Sequence, residues 1–243
     1  MRFSIVIPAH NEAENLPALV AEAIAATAGQ PPAAIILVDD GSDDATAHCL
    51  APQISAGASI RILRHDRRRG LSAAILTGVR GADTPWVVTM DGDGENDPAD
   101  IPALLLRRDR ETPQPALIGG LRRRRRASWS KRAASRFANR LRGWLLRDGC
   151  PDTGCGLKLF RRDAFLALPS FDGMHRFLPA LFRMHGHKVA YVEVNDRMRR
   201  HGRSHFGNLD RGLRGAADLI GVMWLTRRRM PPPDTDSTRD ERP

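Results

Sequence analysis

The chain has 243 residues, of which 42% are hydrophobic, and a formal net charge of +10. That length holds one large α/β domain with a proper core, or two small domains. Three cysteines (Cys49, Cys150, Cys155) with no metal-ligand spacing exclude a disulfide scaffold and fit a reducing compartment.

Apolar runs alternate with helical patterns along the first half. "RFSIVIPA" (2–9) reads as a buried strand and "EAENLPALVAEAIAATA" (12–28) as a helix, with Leu16, Leu19, Val20 and Ile24 on one face. Strand 33–40, a short helix 43–51, strand 59–65, helix 71–82, strand 85–91, helix 98–108 and strand 115–120 follow. Strands that are continuous apolar runs, alternating with helices, predict a mostly parallel central sheet covered by helices on both faces.

The second half is less regular. A basic helix over about 127–147 leads to a strand and helix start within 154–165, a helix at 175–186, a strand at 188–194 and a helix at 208–225. The tail 229–243 is rich in Pro and charge without apolar pattern, which predicts disorder. The domain reading is therefore one unit over 1–228 and a tail.

The opening run is too short for a signal peptide and enters a polar turn at once. The most apolar window, "GAADLIGVMWLT" (215–226), has twelve residues and includes Asp218. At about 1.5 Å per residue it crosses little more than half a bilayer core. A soluble or membrane-surface protein is expected.

Residues 121–149 hold eleven Lys/Arg and one acid, so this segment alone carries the net charge. On a helical wheel Trp129, Phe137, Leu141, Trp144 and Leu145 share one side, and Lys131, Arg132, Arg136, Arg142 and Arg147 the other. That is the composition of an interfacial membrane helix. A core-packed helix with solvated arginines is the plainer alternative. Few aromatics interleave with the basic run, which speaks against a nucleic-acid partner.

Three polar clusters follow successive strands: "PAHNE" (8–12), "VDDGSDD" (38–44) and "MDGDGEND" (90–97). Ligands of open α/β sheets sit at the carboxyl ends of strands. A cap at Asp43 or a turn at Gly41 accounts for one cluster, not for three. No Gly-x-Gly-x-x-Gly follows the first strand and there is no Walker A lysine, so dinucleotide and P-loop sites are excluded. Asp91, Asp93, Glu95 and Asp97 repel one another unless something positive sits between them. Asp-x-Asp at a strand end suits Mg²⁺ or Mn²⁺ shared with a diphosphate. An EF-hand fails, because Asn96 stands where its loop needs Gly and a strand precedes it. Seven of the histidines (His10, His48, His65, His175, His185, His187, His201) show no metal spacing.

These residues carry a resemblance. "SIVIPAHNEAENL", "ILVDDGSDDAT", "RGLSAAILTGVRGA" and "VVTMDGDGENDP" stand in the order seen in glycosyltransferase family 2. "DTGCGLKLFRRDAF", "HRFLPAL" and "RMRRHGRSHFG" resemble its dolichol-phosphate mannosyltransferase and bacterial polyprenyl-phosphate glycosyltransferase branch. The resemblance spans roughly 3–226 and implies a GT-A fold, a Rossmann-like nucleotide-sugar-binding α/β architecture. It implies an inverting, metal-dependent transferase moving a hexose, mannose or glucose first, from a nucleotide sugar (GDP-mannose or a UDP-hexose) to a polyprenyl phosphate. The setting implied is peripheral, on the cytoplasmic face of the cell membrane.

By the same resemblance Pro8, Ala9, Asn11 and Glu12 line the base and ribose pocket, and Asp39 or Asp40 contacts the base. Asp91, Gly92 and Asp93 serve the diphosphate, with the metal on Asp91 and Asp93. Arg199 matches the arginine of the Arg-x-x-Gly-x-Ser pattern and clamps phosphate, with Ser204 and Lys158 or Arg197 near the acceptor phosphate. Asp93, Arg199 and Asp152 form the implied catalytic group; Asp152 starts a turn on the plainer reading. Two positions depart from the family: Glu95 stands where Gln is common and His205 where Lys is usual. The rivals are a family 2 enzyme with a hydroxyl acceptor on a saccharide or glycolipid, and an inactive basic membrane- or nucleic-acid-binding adaptor.

Overall fold

A computed structural model of the chain describes residues 2–122, 143, 145, 146, 149–199, 201 and 208–228, the side chains of 208–214, 216 and 227 aside. Trp129, Phe137, Leu141, Trp144, Ser204, His205 and the 229–243 tail lie outside the described residues.

Among the described residues seven strands form one sheet: β1 (Phe3–Ala9), β2 (Ala34–Asp39), β3 (Ile60–Arg64), β4 (Trp86–Thr89), β5 (Leu117–Arg122), β6 (Lys158–Arg161) and β7 (Val189–Val194). Their order is β3-β2-β1-β4-β6-β5-β7. Every pairing is parallel except those of β6, which runs antiparallel to both β4 and β5. The helices are α1 (Leu16–Ala26), α2 (Ala51–Ser55), α3 (Leu71–Gly81), α4 (Ile101–Asp109), α5 (Arg162–Leu166), α6 (Leu178–Met184) and α7 (Asn208–Arg227).

The central strands read as unbroken apolar runs because both of their faces are covered. Alternate residues of β1 serve opposite sides. Phe3, Ile5 and Ile7 join Leu16, Leu19 and Val20 of α1 and Ile101 and Leu104 of α4 on one face. Val6 joins Ala74, Ile75 and Val79 of α3, and Phe160, Phe165 and Phe182, on the other. Helix α3 lies so close to β1 that a Cβ at Gly78 would come 2.3 Å from Val6 Cγ1.

The second helix starts later than the pattern predicts. Residues 43–51 give a single 3-10 turn, Ala45–Ala47, capped by Asp44 accepting from Thr46 N at 2.9 Å, before α2 begins at Ala51. Pro52 sits in the first turn of α2, where its missing N–H costs nothing, so it starts a helix and does not extend one. Similarly β4 ends at Thr89. Asp91 N donates to Asn96 Oδ1 at 2.9 Å, which turns the chain out of the ladder.

Candidate active site: an acidic crevice at the strand ends

The loops after β1 and β2 are laced together. Asn11 N donates to Ser42 Oγ at 3.0 Å, Asp43 N to Asn11 Oδ1 at 3.1 Å, and Asp40 N to Ala9 O at 2.8 Å. Asn11 takes a left-handed backbone (φ 57), which short polar side chains tolerate. Pro8 and Ala9 are buried at the base of this turn.

The neighbouring acids at the end of β2, Asp39 and Asp40, have different fates. Both oxygens of Asp40 are taken: Arg69 N and Gly70 N donate at 2.8 Å each and His65 Nδ1 lies 2.7 Å away. Burial pushes its carboxyl up, but His65 and the two backbone N–H groups pull it below the ordinary carboxylate value. Asp40 thus holds the loop that starts α3. Asp39 is fully buried and its Oδ1 accepts from Ser42 N at 2.9 Å. Its Oδ2 has no hydrogen-bond donor, although Arg64 Nε lies 3.3 Å away. Of the two acids, Asp39 is the one with a carboxylate oxygen that accepts no hydrogen bond among the described residues.

The loop after β4 gathers the like charges. Burial, then Asp93, then Glu95 push the Asp91 carboxyl up to about 6, against the pull of Lys158 and Arg122. Glu95 is raised by burial first and by Asp93 and Asp196 next. Asp93 Oδ1 accepts from Glu95 N at 3.0 Å. Gly92 packs against the end of β1; a Cβ there would lie 3.1 Å from Pro8 O. Gly156 leaves room for the Asp91 carboxylate, since a Cβ would come 2.1 Å from Asp91 Oδ2. Thr89 Oγ1 donates to Gly156 O at 3.0 Å and fixes that approach.

The cations come from the far half of the sheet. Arg122, last residue of β5, donates through Nε to Asp152 Oδ2 at 2.7 Å and through Nη2 to Asp152 Oδ1 at 2.8 Å. Asp196 lies 3.8 Å from its Nη1. Burial works against the Arg122 charge, but Asp152 and Asp196 outweigh it and hold the group more firmly cationic. Lys158 is buried at the start of β6, where its ammonium donates to Cys155 O and faces Asp91 electrostatically. Its positive charge opposes the rise of the Asp91 carboxyl. Arg199 pairs with Glu12. Burial raises the Glu12 carboxyl first; Asn15 and Arg199 oppose this, while Asp93 adds to it.

Arg122 and Asp196 escape a reading of the sequence as site-organising residues. Arg122 is one of five consecutive arginines, and only its register at the end of β5 separates it from the rest. Arg197 bonds Glu22 of α1 and Asp97, tying the segment after β7 to the Asp-x-Asp loop.

Two carboxylates on one loop are hard oxygen donors, and their mutual repulsion is what a divalent cation relieves. Among the described residues no group of three or more His, Cys, Asp or Glu forms a protein-only metal cage. The arrangement therefore fits a cation that takes its remaining ligands from a diphosphate and water.

Residues 4–168 match the family described as Glycosyl transferase family 2. The chain belongs to that family. It is 32% identical over 231 residues to dodecaprenyl-phosphate galacturonate synthase of Rhizobium johnstonii, covering 93% of this chain and 68% of that one. Its fold is GT-A. Glucosyl-3-phosphoglycerate synthase of Mycobacterium tuberculosis, solved with Mn²⁺, UDP and glucosyl-3-phosphoglycerate, superposes with a TM-score of 0.67 at 20% identity over 93% of this chain and 79% of that one. The same enzyme solved with Mg²⁺ and UDP gives a TM-score of 0.68 at the same identity and coverage. As a family 2 member the protein is a glycosyltransferase. No helix of the described residues is long and apolar enough to cross a membrane.

Proposed function

We propose that this glycosyltransferase moves one sugar, with inversion, from a nucleotide sugar to the phosphate of a polyprenyl phosphate. The observation that carries the reading is that arginines from the other half of the chain reach the acidic strand ends: Arg122 acts on Asp91 and Glu95, and Arg199 on Glu95 and Glu12. The relative named as a dodecaprenyl-phosphate galacturonate synthase supports the acceptor class. It also adds a uronic acid to mannose and glucose as donor sugars to test.

The residues divide the work. Asp39, whose Oδ2 is paired with Arg64 at 3.3 Å and accepts no hydrogen bond among the described residues, is the acid suited to a ring N–H of the base, and Pro8, Ala9 and Asn11 form the floor of that pocket. Asp91, Gly92 and Asp93 face the diphosphate; Mg²⁺ or Mn²⁺ held by the two carboxylates neutralises charge on the leaving nucleoside diphosphate when bound. Lys158 and Arg122 keep the acidic loop from repelling the substrate outright. Arg199, with Ser204, receives phosphate oxygens, for which a guanidinium fork is suited. Asp152 is held by Arg122 and orients the rim of the acceptor side. A phosphate acceptor is already anionic near neutral pH, so the site needs to position it and not to deprotonate it.

A lipid acceptor places the enzyme on a membrane surface. The outer side of α7 supports this: Ile220 and Trp224 are exposed, and the Arg228 guanidinium lies 5.5 Å from the Trp224 ring centre. The basic segment 121–149 adds the charge that anionic headgroups attract. Transfer of labelled sugar to polyprenyl phosphate, with the matching polyprenol as comparison, tests the reading. Label on the phosphate lipid alone supports it; label on the alcohol alone overturns it in favour of a hydroxyl acceptor.

A further inference from the structure

Arg199 and Glu12 lie 187 residues apart and meet in the crevice as an ion pair, both largely buried. Glu12 is fixed from every side. Its N donates to Thr46 Oγ1 at 2.9 Å, its O accepts from Asn15 N at 3.0 Å, and its Oε2 accepts from Asn15 Nδ2 at 2.6 Å. The remaining oxygen, Oε1, takes Arg199 Nη2.

The segment that carries Arg199 is tied down by other contacts as well. Asn195 N donates to Asp100 Oδ2 at 2.7 Å and Asn195 Nδ2 to Asp97 Oδ2 at 3.2 Å. Arg197 bonds Glu22 and Asp97, and Arg197 N donates to Glu95 O at 3.0 Å. On the far side Asn15 Nδ2 reaches His201 O at 3.3 Å. The guanidinium is also under-used: Arg199 Nε is buried and has no hydrogen-bond partner among the described residues. A five-donor group with an unspent buried N–H, held by one carboxylate oxygen, is short of an anion.

We propose that Glu12 is the resting counter-ion of Arg199, and that a substrate phosphate displaces it. This rests on the nucleotide-sugar and phosphate-acceptor reading above. It gives Glu12 a role different from a contact with the ribose. Glu12 is a positioning residue: it holds the Arg199 charge in the crevice, aimed and desolvated, until a phosphate with more charge and more acceptor oxygens replaces it. The exchange also sets a limit on affinity, since Glu12 competes with the phosphate and helps release the product.

The two phosphate sources are separable. For Glu12→Gln, which keeps the shape and removes the charge, the dissociation constants of UDP and GDP are measured by calorimetry, and KM is measured for a short polyprenyl phosphate. Binding tightened about three- to tenfold in the nucleotide arm assigns the donor diphosphate to Arg199. Equal tightening in the lipid arm alone, with kcat lowered by slow release, assigns the acceptor phosphate. Either supports the exchange, and the gain must vanish in the Glu12→Gln/Arg199→Ala double variant. Glu12→Asp, which keeps the charge and shortens its reach, gives a smaller gain and serves if the glutamine variant does not fold. Weaker nucleotide binding in Glu12→Gln, unchanged by removing Arg199, overturns the exchange and returns Glu12 to a substrate contact. A wild-type protein that binds neither nucleotide nor phosphate lipid overturns both this inference and the reading beneath it.

Discussion

Arg122 and Asp152 face each other through two parallel hydrogen bonds, Nε to Oδ2 at 2.7 Å and Nη2 to Oδ1 at 2.8 Å. The pair joins the end of β5 to the loop before β6, and its side chains are only 10% and 15% exposed. Removing one partner leaves a desolvated charge behind. Arg122→Ala is expected to cost about 3 kcal/mol of stability, and the Arg122→Ala/Asp152→Ala double variant less than the sum of the singles. A double-mutant cycle in urea measures this. Additive losses contradict the pairing.

Gly156 makes room for Asp91. Gly156→Ala puts a methyl group 2.1–2.6 Å from all three carboxyl atoms of Asp91, so the carboxylate must turn away. Transfer activity is expected to fall at least about tenfold, while stability falls by roughly 1–3 kcal/mol. Full activity in a folded variant removes Asp91 from the proposed diphosphate site.

Asp93 has no buried structural duty comparable to that of Asp40; its one described side-chain bond is to Glu95 N within its own loop. Asp93→Ala is therefore expected to fold normally and to lose about 10²-fold or more in kcat. Added Mg²⁺ or Mn²⁺ is expected to stop tightening UDP or GDP binding in that variant. Retained metal dependence of nucleotide binding contradicts the assignment.

Acid is expected to destabilise the fold through Asp40. Its folded carboxyl titrates below the ordinary value of 3.8, so the ionised form favours the folded state. The contribution is fully present above about pH 5 and is lost as pH falls through 3.8 and then through the lower folded value. Thermal unfolding between pH 6 and 3 measures it. Asp40→Asn is expected to be less stable at pH 6 and to lose less on acidification than the parent; an equal loss in both refutes this origin.

The proposed membrane attachment has two separable contributors. Ile220→Ser/Trp224→Ser on α7 and Trp129→Ser/Phe137→Ser/Trp144→Ser in the basic segment are each expected to weaken sedimentation with anionic vesicles several-fold. Nucleotide binding serves as the control for folding. Unchanged sedimentation in both sets argues against a bilayer as the partner.

The architecture is legible in the sequence because the sheet is covered on both faces. Runs such as "SIVIPA" and "IILVD" then have no polar side to show. The antiparallel turn of β6 is not legible, since "KLFR", two apolar residues between two cations, reads alike in either direction. The start of α2 escapes the pattern because Asp44 and Pro52 act on single backbone groups, not on periodicity. In the site, the three strand-end clusters announce themselves by charge. Whether Asp39 or Asp40 meets a ligand does not, because the loop at 65–70 that consumes Asp40 is distant in sequence. The Arg199–Glu12 pair is invisible for the same reason: each residue has a plausible partner nearby, and only the return of β7 across the crevice brings them together.

The most direct test of the account is transfer of radiolabelled sugar to undecaprenyl phosphate in detergent. The donors are GDP-mannose, UDP-glucose and UDP-galacturonic acid, each with Mg²⁺, Mn²⁺ or EDTA. The account predicts a chloroform-soluble product from one donor that EDTA abolishes. A protein that binds nucleotide with metal but labels no phosphate lipid from any donor contradicts it.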